Sequence, residues 1–148
     1  MKTNVLEPPE PKGKLDAETA NGPEDETLDW DTIVWAVHEE NVRRLRQRIF
    51  KATKEQDLAT VRNLQRMMLR SWSNTLVSVR QVTQRNAGRG TPGVDGQVVL
   101  TARARMDLAV QVHRTVTTWK PLAVRRVYIP KARDKTKLRP LGIPTVTA

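Results

Sequence analysis

The sequence has no cysteine, two histidines, one phenylalanine and one tyrosine. Without cysteine the chain can form neither disulfide bonds nor metal sites built on thiolates. No apolar run approaches the roughly 18 residues typical of a membrane-spanning helix, and no signal-peptide pattern opens the sequence. With 38% hydrophobic residues among 148, a small helical core is expected but not a large one. These absences predict a soluble, cytoplasmic protein of one domain or slightly less, with no membrane partner.

Charge is distributed very unevenly along the chain. Residues 1–40 contain 11 Asp and Glu against 3 Lys, a net charge of −8, whereas residues 41–148 contain 5 Asp and Glu against 23 Lys and Arg, a net charge of +18. Arginine dominates the basic part, and its guanidinium grips phosphate with two N–H groups and stacks on bases. A basic body of this kind indicates nucleic acid as the partner. The alternatives are a solvated basic surface and a ribosome-like structural role.

The first two parts of the chain differ in composition. Residues 1–28 combine prolines and glycines with acidic side chains, which predicts a disordered acidic tail. In residues 29–86, apolar side chains recur at steps of three and four, which is the spacing of amphipathic helices. The first of these helices is expected to run to about Ala52, and the expected starting points are Asp29 or Asp31, Asp57 and Ser73.

The last two parts of the chain contain a loop, a helix and a hairpin. Residues 87–97 are a glycine-rich loop, whose glycines permit backbone shapes that other residues resist. In residues 98–148 a helix is predicted from about Thr101 to Thr118. Two β-branched runs then flank a charged turn, which is a hairpin signal. The fold class is therefore predicted to be mostly α with a short C-terminal β-hairpin.

Two groups of side chains are candidates for binding. Lys131 and Arg139 flank the turn of the predicted hairpin, so both could reach one anion. The alternative is that both side chains are simply solvated at the turn and bind nothing. Arginines beside the glycine-rich loop suit a phosphate backbone or a single strand, although the loop could equally be an ordinary connector. The candidates for binding nucleic acid are Arg43, Arg85, Arg89, Arg125, Arg126 and position 47. Position 47 is Gln47, which lies between Arg46 and Arg48.

Acidic and aromatic side chains receive plainer interpretations. Phosphoryl transfer by two metal ions needs clustered carboxylates, and Asp95 and Asp134 are the only acids near the basic elements. We assign no catalytic residue and no metal ligand, and interpret Asp95 as a turn residue. The two histidines are expected at the surface or partly buried. The tryptophans are interpreted as core or helix-staple residues: Trp30, Trp35, Trp72 and Trp119.

Several motifs occur in a specific order. They are Gly90–Gly96 (Gly-Thr-Pro-Gly-Val-Asp-Gly), Trp119-Lys-Pro121, Arg125–Lys131 (Arg-Arg-Val-Tyr-Ile-Pro-Lys) and Leu138–Thr145 (Leu-Arg-Pro-Leu-Gly-Ile-Pro-Thr). Together they resemble group II intron reverse transcriptases, the maturase proteins of bacteria and organelles. Two earlier stretches, 42–49 and 64–70, resemble the N-terminal extension of that family. The resemblance covers roughly residues 28–148.

The resemblance implies both a fold and a set of roles. The helices and the glycine loop would clamp intron or template RNA, and the hairpin would belong to an incomplete fingers subdomain. By motif position, Lys131 and Arg139 would contact the triphosphate of the incoming nucleotide. The family's catalytic aspartates lie in the palm, beyond Ala148, and its Mg²⁺ site would lie there too. The turn of residues 133–136 lacks the glycine often found at that place in the family.

The sequence is accordingly interpreted as an N-terminal fragment of a group II intron-encoded RNA-directed DNA polymerase and maturase. The parent activity would serve RNA splicing and a mobile element. Alone, the chain is expected to bind RNA or an RNA/DNA hybrid, to hold no cofactor and not to polymerise. The alternatives are a stand-alone basic RNA-binding protein and one half of a split reverse transcriptase, completed by a separate palm-containing polypeptide.

Overall fold

The computed structural model describes residues 29–146, so the acidic tail predicted for residues 1–28 lies outside the described part. Within that part, four α-helices precede one two-stranded antiparallel sheet. The helices are α1 (Trp35–Lys54), α2 (Leu58–Arg70), α3 (Trp72–Arg80) and α4 (Ala102–Thr115), and the strands are β1 (Arg125–Pro130) and β2 (Leu138–Ile143). The predicted fold class, mostly α with a C-terminal hairpin, is confirmed.

Side-chain caps determine where the helices begin. The Asp57 carboxylate accepts the Thr60 N–H at 3.0 Å, as predicted for the start of α2. The cap of α3 is Ser71, two residues before the predicted Ser73. Asp29 caps only a short 3-10 turn, Trp30–Thr32, and α1 begins later, at Trp35. The expectation that Asp29 or Asp31 starts the first long helix is therefore wrong.

The helices enclose two apolar clusters. The larger one joins α3 and α4 to the 3-10 turn, and Leu76, only 1% exposed, lies within it. The smaller one joins α1 and α2 through Leu45, Ala52 and Leu64. Trp30 and Trp72 are buried in the larger cluster, as predicted, whereas Trp119 is 47% exposed. Trp119 lies beyond the end of α4, so its assignment to the core is wrong.

Helix α3 continues into a π-helical turn, Gln81–Arg85. The Asn86 N–H closes this turn by donating to the Gln81 carbonyl, five residues back, at 2.9 Å. The Thr83 hydroxyl donates to the Val79 carbonyl at 2.7 Å. Turns of this kind occur frequently at functional sites. Here the turn leads from the helical core into the glycine-rich loop.

The hairpin register places the basic side chains on defined faces. Arg125 lies opposite Ile143, and Ile129 lies opposite Arg139. Because directly opposed residues share a face and alternate residues along a strand do as well, Arg125 and Arg139 lie on the same face. Lys131 donates its N–H to the Lys137 carbonyl at 2.9 Å, just beyond the paired strand ends.

Candidate nucleic-acid interface

A groove of about 860 Å³ runs between α1 and the segment formed by α3 and the π-helical turn. Its walls are largely apolar, and three arginines from different turns line it. They are Arg43, Arg46 and Arg85, and Gln47 directly follows Arg46 on α1. We call this feature the α1–α3 groove; its lining is Glu39, Val42, Arg43, Arg46, Gln47, Phe50, Val77, Ser78, Gln81, Val82 and Arg85. Three of the sequence candidates therefore meet in one place: Arg43, Gln47 and Arg85.

Glu39 links the two walls of the groove through ion pairs. Its Oε1 atom accepts hydrogen bonds from Arg80 Nη1 at 3.0 Å and from Arg85 Nη2 at 2.7 Å. The Arg80 guanidinium lies 4.2 Å from the centroid of the Trp35 ring, a cation–π contact. Desolvation by burial lowers the pKa of Arg80. Arg85 is thereby held against α1, and two cations compensate the single charge of Glu39.

Arg43 is paired but exposed. Its Nε and Nη2 atoms donate to the two carboxylate oxygens of Glu40 at 2.6 and 2.8 Å, and Arg44 Nε donates to Glu40 at 3.0 Å. Hydrogen bonds from Arg43, and then from Arg44, lower the pKa of Glu40 to about 2. The Arg43 side chain is 60% exposed, and such surface pairs are weak, so a phosphate can compete with Glu40 for it. Arg46 has no carboxylate of residues 29–146 within ion-pair distance.

A buried polar contact joins α1 to α3, which carry the walls of the groove. Ser73 is 1% exposed, and its hydroxyl oxygen accepts from Asn41 Nδ2 at 3.2 Å and lies 3.0 Å from His38 Nδ1. Burial lowers the pKa of His38, which favours a neutral imidazole. The Ser73 hydroxyl can then donate its proton to the unprotonated Nδ1 of His38. The arrangement satisfies a buried hydroxyl and fixes the separation of the two groove walls.

The glycine-rich loop is docked on the chain that follows β2. The Val94 N–H donates to the Pro144 carbonyl at 3.1 Å, and the Val146 N–H donates to Asp95 Oδ2 at 3.2 Å. Asp95 Oδ1 also accepts the Gln97 N–H at 3.3 Å, as expected of a turn residue. The turn interpretation of Asp95 is therefore confirmed, and the structure adds a contact 51 residues away along the chain. The two amides of Val94 and Val146 bond within the protein.

Gly93 has no room for a side chain. A Cβ atom there would lie 2.8 Å from the Pro144 carbonyl oxygen and 3.1 Å from the Val146 nitrogen, both backbone atoms. Gly93→Ala is therefore expected to destabilise the protein by about 1–3 kcal/mol through overpacking, measured by denaturant unfolding. Gly90→Ala is the matched control, since nothing lies within 4 Å of a Cβ at Gly90. Equal unfolding midpoints for both variants would contradict the docking of the loop.

Arg89 lies apart from Arg85, although the two are close in sequence. It lines a smaller pocket of about 250 Å³ between the glycine-rich loop and residues 143–146. Arg85, by contrast, bonds to Glu39 on α1 and lines the α1–α3 groove. The π-helical turn and the following bend separate the two sites. The structure therefore does not bring Arg85 and Arg89 to one surface of the loop.

The turn end of the hairpin is strongly basic. Lys131 and Lys137 face each other there, and Arg139 lies two residues further along β2 on the same face as Ile129. The Lys137 ammonium pairs with Asp134 at 3.3 Å. Neither Lys131 nor Arg139 has a carboxylate of residues 29–146 within ion-pair distance. We call Lys131 and Arg139, with Lys137 beside them, the hairpin tip.

Arg125 and Arg126 lie at the other end of β1, on opposite faces of the hairpin. Arg125 is opposed by Ile143 and Arg126 by Gly142, and both arginines are exposed. Because successive side chains of a strand point to opposite faces, one flat nucleic-acid surface cannot engage both. They are therefore separate candidates rather than a pair.

The carboxylates do not converge anywhere within residues 29–146. No group of three or more histidine, aspartate or glutamate side chains in that range is placed to hold a metal ion. Asp95 bonds to backbone amides, and Asp134 accepts the Thr136 N–H at 3.1 Å within the hairpin turn. In the same range, no helix combines the length and the apolar character needed to cross a membrane.

Known proteins resemble parts of this chain. The sequence pattern of the family described as the N-terminal domain of reverse transcriptase matches residues 30–112. The chain is 40% identical over 74 residues to protein YkfC of Escherichia coli (strain K12). This aligned segment covers 48% of this chain and 19% of that protein. It is 25% identical over 97 residues to maturase-like protein 1 of Euglena gracilis. That aligned segment covers 66% of this chain and 21% of the relative.

The chain thus spans about a fifth of the length of the curated relatives it matches. The family match includes all four helices except the last residues of α4, and therefore both walls of the α1–α3 groove. The match and the maturase-like relative agree with the motifs in the sequence, which resemble group II intron reverse transcriptases and maturases. The chain belongs to the family of reverse-transcriptase N-terminal domains.

Proposed function

We propose that this chain is the RNA-binding N-terminal part of a group II intron-encoded reverse transcriptase and maturase. The observation that carries the proposal is the α1–α3 groove, where three arginines line apolar walls in a chain segment of net charge +18. Arginine side chains neutralise phosphates, and apolar walls accept bases, so the groove suits intron or template RNA. RNA-directed DNA synthesis and intron splicing would be activities of the whole protein.

The hairpin tip has a separate proposed role. Lys131 and Arg139 lie on either side of the hairpin turn, and no carboxylate of residues 29–146 pairs with either. Fixed cations of this kind stabilise charge on a triphosphate. We assign them to the incoming deoxynucleoside triphosphate, in agreement with their motif position in the family. Within residues 29–146, no group of three or more histidine, aspartate or glutamate side chains is placed to hold a metal ion.

RNA binding can be tested on the purified chain. Titration of labelled single-stranded RNA should give an affinity that falls with salt, with a log–log slope of about −0.7 per phosphate neutralised. Removing residues 1–28 should tighten binding or leave it unchanged, because that segment is acidic. Absence of binding at low salt would refute the proposal. Equal affinity for single-stranded RNA, duplex RNA and duplex DNA would favour a stand-alone basic protein instead.

A further inference from the structure

Phe50 is the one phenylalanine of the chain, and it is 67% exposed. It lies on α1, one turn after Arg46 and one turn before Lys54, and belongs to neither apolar cluster. Large apolar side chains are usually buried, and Phe50 stabilises neither core. Its ring lines the α1–α3 groove, whose opposite wall contains Val77 and Val82. The ring is therefore accessible from the groove to a partner with a flat apolar part.

The surroundings of the ring are basic and polar. Arg43 and Arg46 line the same groove within two helical turns of Phe50, and Gln47 lines it as well. The Lys54 ammonium lies 5.8 Å from the ring centroid, an exposed cation–π contact that a flat partner can displace. Glu39, the acidic lining residue, is already held by Arg80 and Arg85. A polyanion with a flat apolar part fits this setting by charge and by shape.

Nucleotides combine these two properties. Arginine binds phosphate with two N–H groups, and an aromatic ring stacks on any base, because every base has a π face. An amide such as that of Gln47 can both donate to and accept from a base edge. The groove volume of about 860 Å³ lies within the range of roughly 300–1,000 Å³ found for pockets that hold small ligands. In a duplex the base faces are already stacked, so only an unpaired base is available.

We infer that the α1–α3 groove binds an unpaired RNA nucleotide, with its base stacked on Phe50 and its phosphates at Arg43 and Arg46. The inference rests on the proposed RNA-binding function and specifies the feature that is recognised, a single-stranded or bulged position. A bare apolar peptide does not account for the arginines. An acidic peptide accounts for them but leaves no specific requirement for a flat ring at position 50.

The test compares Phe50→Ala, Phe50→Trp and the unaltered chain. With single-stranded RNA, Phe50→Ala should weaken binding about five-fold or more, the size of losing one base–aromatic stack. Phe50→Trp should restore the affinity, because it keeps an aromatic face. Duplex RNA should bind all three proteins equally. Leu58→Ala is the matched control, since Leu58 is 61% exposed and lies outside the groove.

A second readout reports the stack itself. A single 2-aminopurine placed in the RNA should lose fluorescence on binding the unaltered chain and Phe50→Trp, but not on binding Phe50→Ala. Thermal unfolding of each variant shows whether the fold persists. If Phe50→Ala unfolds, Phe50→Leu keeps an apolar side chain without a ring and should show the same loss of affinity and quenching.

The outcomes separate this inference from the proposed function. Absence of RNA binding by the unaltered chain would overturn both. Salt-dependent RNA binding that Phe50→Ala and Phe50→Leu leave unchanged would overturn only the stacking site. An equal loss for single-stranded and duplex RNA would also overturn it. Displacement of the RNA by an acidic peptide whose affinity depends on Phe50 would assign the groove to a protein partner and overturn the inference.

Discussion

Reversing the charge of Arg43 and Arg46 together is expected to weaken single-stranded RNA binding at low salt by on the order of 100-fold, because two charge-assisted contacts are lost. The log–log salt slope should also become shallower by about 1.4, at roughly 0.7 for each phosphate no longer neutralised. The double variant Arg43→Glu/Arg46→Glu should remain folded, since both side chains are exposed. Fluorescence anisotropy titrations from about 50 to about 200 mM salt measure both quantities.

The control changes net charge by the same amount elsewhere. Arg62 and Arg66 are exposed on α2 and do not line the α1–α3 groove. Arg62→Glu/Arg66→Glu should therefore reduce affinity much less than the groove variant, through the general field of the protein alone. If the two double variants lose affinity equally, RNA is held by diffuse positive charge and the groove has no special part in it.

The elements that the sequence predicts correctly depend on local interactions. Asp57 caps α2 because a carboxylate at that position bonds the N–H of Thr60, three residues on. The faces of the hairpin follow from the two-residue repeat of a strand, so the sequence correctly predicts that Arg125, Val127 and Ile129 share one face of β1. Each of these features involves residues within a few positions of one another or a fixed geometric period.

The features that the sequence leaves undetermined depend on tertiary contacts. Glu39 bonds to Arg80 and Arg85, which are 41 and 46 residues away along the chain. No spacing rule connects such positions, so the groove and the placement of Arg85 within it require the packed helices. The exposure of Phe50 is similar, because a helix pattern alone does not tell which apolar side chain the neighbouring helix leaves uncovered. The sequence feature that could have indicated this site is a single aromatic residue, four positions after Arg46 and four positions before Lys54.

The prediction for the start of the first helix is wrong for a related reason. Asp29 and Asp31 both precede apolar residues, and both could cap a helix by local chemistry. The structure instead forms a 3-10 turn at that point, which buries Trp30 against Trp72 and α4. Burial of one large side chain against distant elements therefore outweighs the local capping preference. Trp119 shows the reverse case, since no described element covers it fully and it stays half exposed.

The second large effect concerns the hairpin tip. Lys131 lies opposite Lys137, one residue beyond β1, and Arg139 lies two residues further along β2, a diagonal relation that in antiparallel pairs places Cα atoms roughly 7–8 Å apart. Two long cationic side chains at this spacing can grip one triphosphate. In a chain that carries a family palm, Lys131→Ala and Arg139→Ala should each raise the KM for deoxynucleoside triphosphate by about 10- to 100-fold, the loss of one charge-assisted contact. Steady-state primer extension with varied nucleotide concentration measures this change.

RNA affinity is the comparison measurement, because it separates a nucleotide site from a general RNA-binding surface. Lys131→Ala and Arg139→Ala should leave template binding nearly unchanged, because many other arginines contribute to it. Arg85→Ala with Arg89→Ala should weaken template binding first. Lys135→Ala is the matched control, since Lys135 carries the same charge in the same turn but is not one of the hairpin-tip residues. If all these variants lowered RNA affinity alike and left the nucleotide KM unchanged, the hairpin tip would be one more part of a general basic surface, with no nucleotide grip.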